Sequence, residues 1–171
     1  MMILTSLYKT IMILYHGSNT IVRQPKIIEP SRTLDYGSGF YTTCAEKQAY
    51  DWAMRKKKAS EPCNYINVYE FDEAVLKNLK VLWFDSPTNE WIDFVMCNRQ
   101  DETFQHDYDI VYGPVANDRV YLQLGLYEQE LISKEALLAE LKVHKLIDQM
   151  LFHTEKALQY LRFMEAKEVR V

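Results

Sequence analysis

Residues 11–19 read Ile11-Met12-Ile13-Leu14-Tyr15-His16-Gly17-Ser18-Asn19, an apolar run that closes on a histidine and then on turn-forming residues. A short, continuous apolar run stopped by such a cluster reads as a buried strand. Residues 17–40 then read mostly as loop, punctuated by Pro25, Pro30 and Gly37-Ser38-Gly39. A connection that long inside a compact domain is functional or disordered. Its position beside a strand end makes it a candidate binding wall.

The pattern turns helical from Ala45 to Ala59, with Ala49, Trp52, Ala53 and Lys56 on one side. Residues 65–71 alternate with period two as a half-buried strand, and Lys80 to Phe84 reads as another. Ser86-Pro87 supplies an N-cap and a proline at the first helical position, opening a helix through Trp91, Phe94 and Val95. Asp109 to Gly113 is a short buried strand. Asn117 caps a helix carrying Val120, Leu124 and Tyr127, and Ser133 caps the next, where Ile132 staples onto Leu137. Gln149 to His153 is a strand, and Thr154 caps a last helix containing Leu158 and Leu161. The chain from Glu165 is expected to fray. Strands and helices intersperse without regular βαβ alternation, so the expected class is a single α+β domain rather than a doubly wound parallel sheet.

Composition bounds the function. The 171 residues carry 24 acidic side chains against 20 Lys and Arg, a formal charge of −4. That balance argues against a duplex-binding protein held by a basic stripe. The basic run Arg55-Lys56-Lys57-Lys58 reads as the solvated end of a helix, where cations suit the dipole. Cys44, Cys63 and Cys97 are odd in number and show no Cys-x-x-Cys spacing, which favours a reducing, cytoplasmic setting. The apolar start, Met1 to Lys9, lacks the basic region and small-residue site of a secretory leader, and no apolar run reaches a membrane span.

Zinc-helix, nucleophile-elbow and phosphate-loop spacings are absent. His106, Asp107 and Asp109 read as a solvated polar loop rather than a metal cluster, and no metal is expected. Cys44 reads as a small packed hydrophobe. Three places join unusual chemistry to a strand or loop end. His16 ends a strand, with Gly17 behind it open to close approach by a ligand. In the stretch Asp35 to Thr43 two aromatics flank a flexible turn, and Tyr41 with Trp52 would form a slot for a flat heteroaromatic ligand. Gln149 is a polar residue opening an apolar strand. Each also has a plainer reading: a structural histidine, core aromatics and a silent exposed glutamine.

In combination, Tyr15-His16-Gly17-Ser18, Gly37-Ser38-Gly39-Phe40-Tyr41 and a polar residue opening a late strand resemble the His-Tyr-Glu arrangement of the diphtheria-toxin and poly(ADP-ribose) polymerase branch of ADP-ribosyltransferases. More closely, the chain resembles an uncharacterised bacterial family assigned to that superfamily. Its members open with Leu-Tyr-His-Gly-Ser and close with Gln-x-x-Phe-His-Thr-Glu-Lys-Ala-Leu, here Gln149 to Leu158. The likeness spans about Met12 to Phe163. It places the domain at 12–164, with residues 1–11 as an extension and 165–171 as a tail, and allows a start at either Met1 or Met12.

The resemblance implies split antiparallel sheets flanked by helices around an NAD cleft. It implies that His16 bonds ribose hydroxyls, that the Gly17 backbone grips the nicotinamide carboxamide and that Tyr41 stacks on the ring. Trp52, or less directly Tyr50, would supply a second stacking ring, and Ser18 and Gly39 complete the NAD-contacting set. Gln149 stands where the related enzymes carry a glutamate holding the ribose 2′-OH. A glutamine accepts from a hydroxyl but brings no full charge to an oxocarbenium-like centre. Glu128, Glu130, Glu155 and Asp118 are other candidate carboxylates, and Asp118 with Arg119 could line the acceptor side. The implied activity is mono-ADP-ribosylation of a macromolecular acceptor, protein rather than nucleic acid, extending by analogy to a toxin paired with an antitoxin. A non-catalytic NAD, ADP-ribose or protein-binding module and an NAD glycohydrolase are the alternatives.

Overall fold

The computed structural model describes residues 10–28, 34–55, 63–115, 118–144 and 146–169. Seven strands form one mixed sheet. They are β1 (Ile11–Ser18), β2 (Phe40–Thr43), β3 (Asn64–Asp72), β4 (Val81–Trp83), β5 (Ile110–Pro114), β6 (Asp148–Phe152) and β7 (Arg162–Val169). Their spatial order is β4-β5-β6-β2-β1-β3-β7. The helices are α1 (Glu46–Arg55), α2 (Asn89–Gln100), α3 (Asp118–Glu128), α4 (Lys134–Val143) and the one-turn α5 (Glu155–Leu158), with a 3-10 segment at Glu73–Asn78. The α+β class stands. Two features depart from a pair of antiparallel sheets: the ladder is continuous, and β4 runs parallel to β5.

The ladder is thin at one seam. β1 pairs with β3 over eight Cα partners, from Ile11↔Asp72 to Ser18↔Tyr65, and β2 pairs with β6 over all four of its residues. β1 and β2 meet at a single pair, Tyr15↔Thr43. The side chains of Thr42 and Thr43 reinforce the β6 side, donating to the Met150 and Asp148 carbonyls at 2.7 and 2.9 Å.

Strand alternation distributes the core. On one face Leu14, Phe40, Tyr69, Phe71, Ile110, Met150 and Phe152 pack with Leu158 and Leu161 in one cluster that spans the seam. On the other face Ala49 and Ile66 form a small cluster with Val169 beneath α1. A separate, larger cluster joins Tyr36, Trp91, Ile92, Val111, Leu124, Leu137 and Leu151. Gly17 lies against α1 so closely that a Cβ there would stand 2.0 Å from the Ala49 carbonyl oxygen and 2.6 Å from the Ala53 nitrogen. Small residues at positions 17, 49 and 53 let helix and strand backbones touch.

Caps confirm several boundaries. Ser133 accepts from the Ala136 amide at 3.2 Å and Thr154 from Ala157 at 3.2 Å, as the sequence predicts. The α2 cap is Thr88, accepting from Trp91 N–H at 3.2 Å, two residues beyond the predicted Ser86. The helix after Thr154 stops at Leu158, so Leu161 is not in it. The predicted frayed tail is also corrected. Residues from Glu165 continue β7, paired with β3 out to Asn64↔Val169, and Val169 is buried. The predicted Asn117 cap, the lysines 56–58 and most of the N-terminal extension lie outside the described residues.

Candidate functional site at the β1–β2 seam

His16 follows the one β1–β2 pair, at the point where the two strands part. Its Nδ1 lies 2.7 Å from the Tyr41 carbonyl oxygen. A carbonyl only accepts, so Nδ1 carries the proton and donates. The ring is 5% exposed and rests on Phe40 with centroids 4.4 Å apart. Just beyond, Asn67 fixes the chain leaving β1. Its side chain accepts from the Val22 amide at 2.7 Å and donates to the Thr20 carbonyl at 3.1 Å. Ser18 is buried, and its Oγ accepts from the Thr20 amide at 3.2 Å.

Tyr41 points to the opposite face from Phe40 and packs against the large cluster of α2, α3 and α4. Its hydroxyl donates to the Gly37 carbonyl at 2.7 Å, and burial pushes its pKa above the ordinary tyrosine value. Gln149 is in register with Thr43, and through it with Tyr15, so one row of the sheet joins β6 to the seam. Gln149 is 4% exposed and is not a silent surface residue. It lies near the Tyr36 hydroxyl, which accepts from Trp91 Nε1 and donates to the Pro114 carbonyl at 2.8 Å. Burial dominates at Tyr36 and drives its pKa up.

The three predicted places lie on the neighbouring strands β1, β2 and β6, with His16 on the sheet face that carries Phe40 and Tyr41 and Gln149 on the other, and two features differ from the slot expected. Trp52 sits half-buried on the flank of α1 and shares no ring contact with Tyr41. The reason is that α1 docks through Ala49 and Ala53, which turns Trp52 aside. Tyr50 is exposed. Gly17, expected to be open to a ligand, has its Cβ position occupied by the α1 backbone. Gly39 likewise fits against β6, where a Cβ would stand 2.9 Å from the Phe152 carbonyl oxygen.

Other candidates fall elsewhere. Glu128 is held by Arg99, with Nε–Oε1 at 2.6 Å, and Arg99 also reaches Asp35 at 3.1 Å. Glu130 and Glu155 are exposed, Arg119 is exposed on α3, and the Asp118 side chain is outside the described residues. Asp107 pairs with Lys80. Asp109 is desolvated, yet the Lys80 amide, Thr154 and Lys156 more than offset this and keep its pKa low. Cys44 is exposed, contrary to the packed hydrophobe expected, because it lies one residue beyond the end of β2.

The profile of a family described as "Protein of unknown function (DUF3990)" matches residues 12–163, most of the chain. The chain belongs to that family. No match was found among curated proteins or solved structures. The match ends within β7 of the DUF3990 domain, which runs on to Val169.

Sequence reasoning missed the residues that hold the loop between β1 and β2 in this DUF3990 domain. Tyr36 and Trp91 fasten it to α2, and Asp35–Arg99–Glu128 ties it to α2 and α3. His153 Nδ1 lies 2.7 Å from the Ser38 carbonyl oxygen, and burial, with His106 beside it, pulls its pKa down to about 4. Asn67 had a legible signal, a lone amide inside an apolar strand. The others had none, since their partners are 29–115 residues distant. A groove of about 790 Å³ lies between α2 and the α3–α4 turn, lined by Met96, Cys97, Tyr127, Glu128 and Leu131. It holds none of His16, Tyr41 or Gln149.

Proposed function

We propose that this DUF3990 domain is an NAD-dependent mono-ADP-ribosyltransferase acting on a macromolecular acceptor, with the seam between β1 and β2 as its dinucleotide site. The observation that carries the reading is the place of His16, where the strands part after one register pair, with Nδ1–H spent on Tyr41 O. In this reading the His16 imidazole, held by that bond, is the group that meets the ribose hydroxyls. The strand order supports the reading by setting β2 and β6 beside β1, with Tyr41 and Gln149 approaching the seam from the face opposite His16. In it Tyr41 would flank the nicotinamide, and Ser18 and Gly39 would form the walls of the cleft. Trp52 would have to turn from the flank of α1 to join it. The activity breaks the ribose C1′–N bond of NAD, releases nicotinamide and joins C1′ to an acceptor nucleophile. A cytoplasmic toxin countered by an antitoxin is the biological setting that this chemistry would fit.

One observation favours a second reading. Gln149 is neutral and buried. Oxocarbenium stabilisation depends on fixed negative charge near C1′. A non-catalytic NAD- or ADP-ribose-binding module needs no such charge. An NAD glycohydrolase differs from the transferase in using water as the acceptor.

Incubation of the protein with adenylate-labelled NAD and cell lysate is expected to label a discrete macromolecule. His16→Gln and Tyr41→Ala should each lose at least tenfold of that labelling while still folding by circular dichroism. Labelling unchanged in both variants overturns the site. NAD-dependent thermal stabilisation with no nicotinamide release selects the binding module, and free ADP-ribose as sole product selects the glycohydrolase.

A further inference from the structure

Trp83 and Tyr112 stack at the outer end of the sheet, with centroids 3.8 Å apart and planes 15° from parallel. Both sit on the face that carries Met150, since Trp83↔Tyr112 and Tyr112↔Met150 are register partners. One indole face is covered by Tyr112, yet Trp83 is still 38% exposed, so the accessible area is the outward face. The indole is pinned. Nε1 donates to Asp85 at 2.8 Å, and the Tyr112 hydroxyl donates to Asp148 at 2.8 Å. Burial, with Asp148, Cys44 and Asp85 around it, raises the Tyr112 pKa.

β4 is the outermost of the described strands on this side, so its far edge has no strand partner among the described residues. An added strand would lie about 4.8 Å away, with one side chain directly opposite Trp83. Two features select its chemistry. An exposed, immobilised indole face attracts a planar cation, and arginine is the side chain that both stacks and reaches a neighbouring carboxylate. The carboxylates of Asp85 and Asp148 would repel the phosphates of a nucleotide or nucleic acid.

We propose that the outer edge of β4 receives an extended, arginine-bearing segment of a partner protein, its guanidinium lying on Trp83 and bonding Asp85. The contact is independent of NAD and lies four strands from β1, so it survives or fails separately from the transferase reading.

The test follows the Trp83 indole N–H resonance in the full chain, assigned with Trp83→Leu. The probe is the peptide acetyl-Gly-Val-Arg-Val-Gly-amide, with Gln and Glu analogues at the central position. Saturable shifts with the Arg peptide are expected, weaker with Gln and absent with Glu. Asp85→Asn, with Trp83 intact, should weaken Arg-peptide binding about two- to fivefold, the range for one exposed ion pair or cation–π contact. Equal shifts with all three peptides, no shift at millimolar Arg peptide, or tighter binding of an oligothymidylate would each overturn the proposal.

Discussion

Gly17→Ala is the sharpest test of the architecture around the seam. The added methyl would lie 2.0 Å from the Ala49 carbonyl oxygen, where ordinary van der Waals contact begins near 3.4 Å. The obstacle is backbone on both sides, so no side chain can rotate away. The helix must retreat by more than an ångström, opening the small cluster formed by Ala49, Ile66 and Val169. Overpacking of a rigid site costs about 1–3 kcal/mol or more, and this one should fall at or above about 3 kcal/mol. For a domain of about 150–250 residues that is a fall in Tm of about 6–12 °C. Gly125→Ala is the internal comparison, because nothing lies within 4 Å of its Cβ position on α3. There alanine should raise stability by about 0.5–1 kcal/mol. Paired thermal and urea denaturation decides the matter. A Gly17→Ala protein melting within about 2 °C of the parent would refute the close contact between α1 and β1.

Three further outcomes follow from buried polar groups. The folded pKa of His153 is about 4, below the ordinary value of about 6.5, so between those values the unfolded chain binds the extra proton. This contribution is complete above about pH 6.5 and is lost as pH falls toward 4, worth about 2–3 kcal/mol. His153→Gln should flatten the stability profile in that window, and parallel profiles would count against it. Arg99→Ala strands Asp35 and Glu128, both largely buried, and should cost about 2–4 kcal/mol by urea titration, with Arg99→Lys in between. Gln149→Glu replaces a buried neutral carboxamide with a buried carboxylate, so it should lower stability at pH 8 more than at pH 5. If the seam turns over NAD, the same change should raise labelling, because it supplies the missing charge.

The strand and helix content was legible because the signals are local. The apolar run ending at His16, the alternation over 65–71 and the Ser133 and Thr154 caps each depend on a few adjacent residues. The reading of a frayed tail went wrong over 165–169 because β7 is a charge-rich edge strand, with Arg162, Glu165, Lys167 and Glu168 in it. Exposed edges are kept polar to discourage aggregation, and such a strand looks like a tail in sequence. Trp52 was misplaced for a related reason. Its helical position was right, but which side of α1 meets the sheet was settled by Gly17, 35 residues earlier. His16, Tyr41 and Gln149 were picked out as unusual residues, and sheet order alone placed them on adjacent strands. The contacts they make, chiefly the His16 bond to the Tyr41 carbonyl and the Tyr41 hydroxyl's bond to Gly37, could not be read from sequence spacing.

The seam has a mechanical consequence. One side of the sheet is glued across it by Leu14, Phe40, Tyr69, Met150 and Phe152, while the other side carries separate clusters beneath α1 and beneath α2 to α4. A plate bonded along a single surface flexes about that surface. Bending strains the lone Tyr15↔Thr43 pair and spares the eight-pair and four-pair ladders flanking it. Any molecule lodged between the two helical layers thus acts as a wedge or a tie. Its arrival should be felt first as altered amide exchange at Thr42 and Thr43, with the interiors of β3 and β6 silent.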